Sequence, residues 1–121
     1  MAYVLCTGVN PALMATRKLL LERAGHTVFT ARDERELIST CQHIRFDVAV
    51  IGQTMPTTKK EKMAAAMRQS CPGVKILELF SPHEGKTLAD ADSWLEVPAD
   101  VPDDLAERVN ELARQRERKQ A

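Results

Sequence analysis

The sequence lacks any excess of charge of one sign. Lys and Arg number 17, Asp and Glu number 17, and the formal net charge is zero. That removes the overall electrostatic footprint expected of a nucleic-acid-binding or anionic-membrane-binding domain. Long apolar runs are also missing. None approaches the roughly 18 residues a membrane-spanning helix needs. Met1-Ala2 leads straight into a short strand pattern with no basic segment before it, so no signal peptide is expected and the reading is a cytoplasmic protein. Cysteine is sparse: Cys6, Cys41 and Cys71 show no metal-type spacing, and an odd number argues against a full disulfide framework. Each lies in or beside an apolar run, where a free thiol behaves as a small hydrophobe. His26, His43 and His83 are scattered and form no metal set. There is no G-x-G-x-x-G fingerprint, no P-loop and no visible nucleophile–base pair. Repeats, low-complexity stretches and long linkers are absent too, so residues 1–121 read as one domain.

What is present is an alternation of short strands and amphipathic helices. Tyr3 to Thr7 is an apolar run that reads as a buried strand. Asn10 then Pro11 is a helix start, because Asn caps and Pro suits the first helical position. Leu13, Leu20 and Ala24 recur at helical spacing up to Gly25, a stop signal. Thr27 to Ala31 is β-branched and aromatic, hence strand-like. Asp33-x-x-Glu36 opens a second helix with Leu37, Cys41 and Ile44 as its buried stripe. Val48 to Ile51 is apolar throughout, the mark of a central parallel strand covered on both faces. Thr58-x-x-Glu61 reads as a further capping box before Met63, Ala64 and Met67. After the Pro72-Gly73 turn come strands at Val74 to Phe80 and Trp94 to Val97. A last helix follows from Pro102-Asp103-Asp104, with Leu105, Val109 and Leu112 buried. Its end, about 114–121, reads as a basic tail carrying Arg114, Arg116, Arg118 and Lys119. Basic residues there suit the helix dipole. With no aromatic residue for stacking, the tail gives little reason to expect nucleic-acid binding. Ser81 to Ser93 is weak in apolar content, so a helix between the last two strands is short or absent. The fold class is α/β: a doubly wound parallel sheet.

Five strands and up to five helices in this order resemble the receiver domain of bacterial two-component response regulators, over nearly the whole chain. The local matches are Asn10-Pro11-Ala12-Leu13, Ala24-Gly25-His26-Thr27-Val28, Phe46-Asp47-Val48-Ala49-Val50-Ile51, Met55-Pro56 and Trp94-Leu95-Glu96-Val97-Pro98. The resemblance implies a flavodoxin-like five-stranded sheet of order 2-1-3-4-5 with its site at the carboxyl ends of the strands. It also implies five functional positions, and all five are substituted. Gly52 stands for the phosphoryl-accepting Asp, and Gly8 and Val9 for the two magnesium-binding acids. Phe80, with Ser81 one residue on, stands for the Thr or Ser of strand 4, and Val97 for the Lys of strand 5. Phosphoryl transfer to a carboxylate needs the carboxylate, oxygen ligands for the metal and a cation for the developing charge. The expectation is therefore a receiver-like module with no catalytic residue, phosphorylation site, metal or cofactor.

Such domains signal through the face made by the fourth and fifth strands and the final helix. The resemblance thus implies a protein partner, a second copy of the chain included, with Glu78, Trp94 and Glu96 as candidate interface residues. Trp94 reads either as filling, with Phe80, the space of the lost site or as an anchor for a partner. Glu78 stands in an apolar strand, where an unpaired carboxylate is costly. It is either solvated on a face left open by a truncated helix, or paired with a partner's cation or a local one. The alternative function is a small-ligand-binding protein using the same crevice, where Gly8 and Gly52 leave room.

Overall fold

The computed structural model describes residues 1–98 and 103–120, with side chains described as far as Arg116. Its elements are β1 (Tyr3–Thr7), α1 (Pro11–Arg23), β2 (Thr27–Ala31), α2 (Glu34–His43), β3 (Val48–Ile51), α3 (Thr57–Ser70), β4 (Lys75–Phe80), β5 (Ser93–Glu96) and α4 (Asp104–Gln120). All strands pair in parallel in the order β2-β1-β3-β4-β5. β3 is buried along its whole length, as its unbroken apolar run requires. Alternation divides each strand between two cores. Leu5, Ala49, Ile51 and Ile76 pack under α2 and α3; Val4, Cys6, Val50, Leu77 and Leu79 pack under α1 and α4.

Local chemistry sets the helix boundaries. Asn10 Oδ1 accepts from the N–H groups of Ala12 (3.0 Å) and Leu13 (3.2 Å), and Pro11 occupies the first turn of α1. Gly25, at φ +96°, supplies the left-handed residue after the helix. Asp33 caps α2 through the Glu36 N–H at 2.9 Å, while the Glu36 carboxylate pairs with Arg32 rather than closing the box. The Thr58-x-x-Glu61 box does not form. α3 begins two residues earlier than that box implies, with Pro56 rather than Thr58 at the N-cap and no side-chain cap. No helix of the described residues lies between β4 and β5, and Ser81 to Asp92 crosses as a loop. Pro102, Arg118 and Lys119, read from sequence as the helix start and basic end, lie outside the described side chains.

Three expectations need correction. The buried stripe of α1 is Met14, Arg17 and Leu21, while Leu13 and Leu20 are half-buried and Ala24 is exposed. Cys41 and Cys71 are joined by a disulfide that ties α2 to the end of α3, with Cα atoms 5.5 Å apart, so only Cys6 is a free buried thiol. Arg116 is not part of a solvated tail. Its guanidinium is buried, donates to the Gly73 carbonyl at 3.0 Å and pairs with Asp47. Asp47 in turn accepts from the Tyr3 N–H at 2.9 Å, so this pair closes the amino-terminal edge of the sheet.

Candidate functional site

The strand order reverses at β1, and the carboxyl ends of β1 and β3 part there into a crevice. Gly8 and Gly52 meet in it. The Gly52 N–H donates to the Thr7 carbonyl at 3.0 Å. A Cβ on Gly52 would stand 3.0 Å from Arg17 Nη1, 3.2 Å from Thr7 O and 3.6 Å from Gly8 Cα. The Arg17 guanidinium therefore rests in the space that a side chain at position 52 would need. It donates to Gln53 Oε1 and is 8% exposed. Burial pulls Arg17 below the ordinary guanidinium range, yet an arginine stays charged at neutral pH. Val9 points into solvent at 42% exposure. Phe80 and Val97 are half-buried at the strand ends, joined by a Val97 N–H to Phe80 O bond of 2.9 Å.

Glu78 is fully buried. Of the readings left open by the sequence, the local ion pair is the one found. Lys60 Nζ on α3 lies 2.8 Å from Glu78 Oε2 and 3.1 Å from the Leu79 carbonyl. The loop supplies the rest: the Thr87 and Leu88 N–H groups donate to the carboxylate at 3.0 and 2.9 Å, and the Thr87 hydroxyl donates as well. Burial pushes the Glu78 carboxyl up, but these donors outweigh it and hold it below its ordinary range. Glu78 is thus an anchor for the loop that replaces a helix, and it is withdrawn from the interface set. Trp94 lies opposite it in register, half-buried, and donates from Nε1 to the Leu88 carbonyl at 2.9 Å. Lys86 Nζ sits 4.9 Å from the Trp94 ring centre. Phe80, Lys86, Trp94, Glu96, Asp104 and Arg108 line a polar depression of about 280 Å³, with Glu96 exposed at its edge.

No family model matches the chain, and no curated protein does. Solved structures do. The chain overlays a CheY-like response regulator receiver domain protein from Methanospirillum hungatei with TM-score 0.80 at 20% identity, over 98% of each chain. The chemotaxis response regulator CheY4 of Vibrio cholerae gives 0.73 at 28% identity, over 93% of this chain and 98% of that one. An uncharacterized protein from Neptuniibacter caesariensis gives 0.84 at 13%, over 98% and 91%.

The chain has the receiver-domain fold.

In that receiver frame the sequence located the crevice but missed the charges that occupy it or brace it. Arg17 falls between Leu13 and Leu20 at helical spacing, and Lys60 falls one turn before Met63 and Ala64 and two turns before Met67. A cation inside an apolar stripe was the available signal. Among the described residues no group of His, Cys, Asp or Glu is gathered as a metal site, and no helix is long and apolar enough to cross a membrane.

Proposed function

We propose that this chain is a non-phosphorylatable receiver-like module, from or derived from two-component signalling, which works by binding a protein partner as an adaptor or dimeriser. One observation carries the reading. Where a receiver domain presents its acceptor carboxylate, Gly52 presents none, and Arg17 packs into the space. Gly8 and Val9 add no carboxylate, so these positions bring no acidic side chain to the crevice that Arg17 enters. These residues do not fit Mg²⁺, which asks for hard, mostly anionic oxygen ligands. They offer neither a nucleophile nor a counter-ion for an acyl phosphate. The chain then has no enzymatic step of its own, and the face that remains is the one around Trp94, Glu96 and Arg108. Its mixed charges and its partly buried aromatic suit a protein partner.

The test is incubation with acetyl phosphate and Mg²⁺, read by intact mass and by amide chemical shifts with beryllofluoride. The wild type gains no phosphoryl group and shifts no resonance at Gly8 or Gly52. Gly52→Asp also stays unmodified, because the new carboxylate meets Arg17 and the metal ligands are still missing. A stable acyl phosphate on the wild type overturns the proposal.

A further inference from the structure

Arg17 is the one strongly buried cation whose counter-charge is not found among the described residues. Lys60 has Glu78, Arg116 has Asp47, and Lys75 has Asp92 at 3.8 Å. Arg17 has only the neutral amide of Gln53. Cys6, the titratable group whose charge would act on it, cannot help. Burial pushes that thiol up to about 12, so it stays neutral. A guanidinium taken out of water without an anion is costly, and that cost persists only where something offsets it.

The guanidinium also lines a cavity. Between α1, the end of β5 and the start of α4 lies a groove of about 310 Å³. Its walls are Leu13, Leu20, Leu95, Val97 and Leu105, and Arg17 and Gln53 are its polar residues together with Thr16 at the rim. That volume is at the lower end of small-molecule sites, and an apolar wall with few convergent polar groups is their usual composition. A guanidinium pairs with a carboxylate through parallel N–H bonds, which fixes orientation as well as charge.

We propose that this groove is a binding site for a small amphiphilic carboxylate, its acid group held by Arg17 and its apolar body lying on Leu13, Leu20, Leu95 and Leu105. The groove adjoins the substituted phosphorylation positions, Val97 being one of its walls, but the proposal does not rest on the silenced-switch reading. A protein modified elsewhere could still carry it, and a silent one could lack it.

Octanoate is a suitable probe, with octanol as its uncharged isostere. In the intact chain, millimolar octanoate raises the melting temperature by several degrees and shifts amide resonances of Leu20 and Leu95. Octanol binds at least tenfold more weakly. Arg17→Met melts at or above the wild type in anion-free buffer, since a stranded buried charge is gone, and its octanoate affinity falls at least tenfold. Thr16→Trp, at an exposed position on the rim, blocks the groove and abolishes the shift while folding normally. The proposal fails if octanoate leaves the wild type unchanged, if octanol matches it, or if Arg17→Met binds as well as the wild type. It fails equally if Asp100→Asn, a position outside the described residues, reproduces the Arg17→Met behaviour, because the counter-charge would then be internal.

Discussion

Lys60→Met isolates the pair that holds the β4–β5 loop. The substitution keeps an unbranched apolar stem at this buried position and removes the ammonium 2.8 Å from Glu78. Stranding one half of a buried ion pair costs about 3–5 kcal/mol. Glu78 keeps the Thr87 and Leu88 donors, and hydrogen bonds to a charged group contribute about 1.5–3 kcal/mol each. The loss therefore belongs at the lower end, about 3 kcal/mol at pH 7. With a urea slope of about 1.5–2 kcal/mol per molar, the midpoint falls by about 1.5–2 M. The pH dependence has a definite sign. In the wild type, Glu78 lies below its unfolded value, so its contribution is present above roughly pH 4.3 and is lost as pH falls through the lower folded value. Without Lys60, burial dominates and Glu78 rises above its unfolded value. The deficit of the variant is then largest at neutral pH and shrinks toward pH 5 as the carboxyl takes a proton. Trp94, the lone tryptophan, hydrogen-bonds the same loop and reports the transition by fluorescence. A loss under about 1 kcal/mol, the size of an exposed pair, or a deficit equal at pH 7 and pH 5, refutes the buried-pair reasoning.

Two further outcomes follow from the covalent and capping contacts. Cys41→Ser with Cys71→Ser removes a cross-link between positions 30 residues apart, for which loop entropy gives about 3–4 kcal/mol. The melting temperature falls by about 10–15 °C in oxidising buffer, and dithiothreitol brings the wild type down to the same value. Asn10→Ala strips the α1 cap and costs about 1 kcal/mol by urea midpoint, while Asn10→Asp, which keeps the accepting oxygen, stays within a few tenths.

Strand order and element positions were legible because each element's chemistry agrees with its neighbours. β3 is apolar at every position and is central, and the thin apolar content of Ser81 to Ser93 does correspond to a missing helix. Legibility failed where a decision depends on tertiary contact. Thr58-x-x-Glu61 has a capping spacing, but Pro56 fixes an earlier start and leaves Thr58 inside the helix. The Cys41–Cys71 pairing depends on how α2 packs on α3, which no spacing records. The α1 stripe came out one position off because Leu13 and Leu20 line a groove rather than the core, and a half-buried leucine has the same periodicity as a buried one.

The candidate site was half legible, and the missing half has a common physical form. Charged residues standing in apolar stripes are Arg17 on α1, Lys60 on α3, Glu78 on β4 and Arg116 on α4, one turn beyond Leu112. Taken singly, each reads as noise in the pattern. Taken together they pose a pairing problem, because a buried charge needs an opposite one. α3 and β4 both cover the same core, so Lys60 and Glu78 can meet. Arg116 at the far end of α4 reaches Asp47, just before β3, at the edge of the sheet opposite the crevice. Arg17 is left over. Its position beside Gly52 ties the two proposals to one residue. A Cβ at 52 would stand 3.0 Å from the guanidinium, so the proposed silence toward a divalent cation and the proposed preference for an anion both turn on where Arg17 packs.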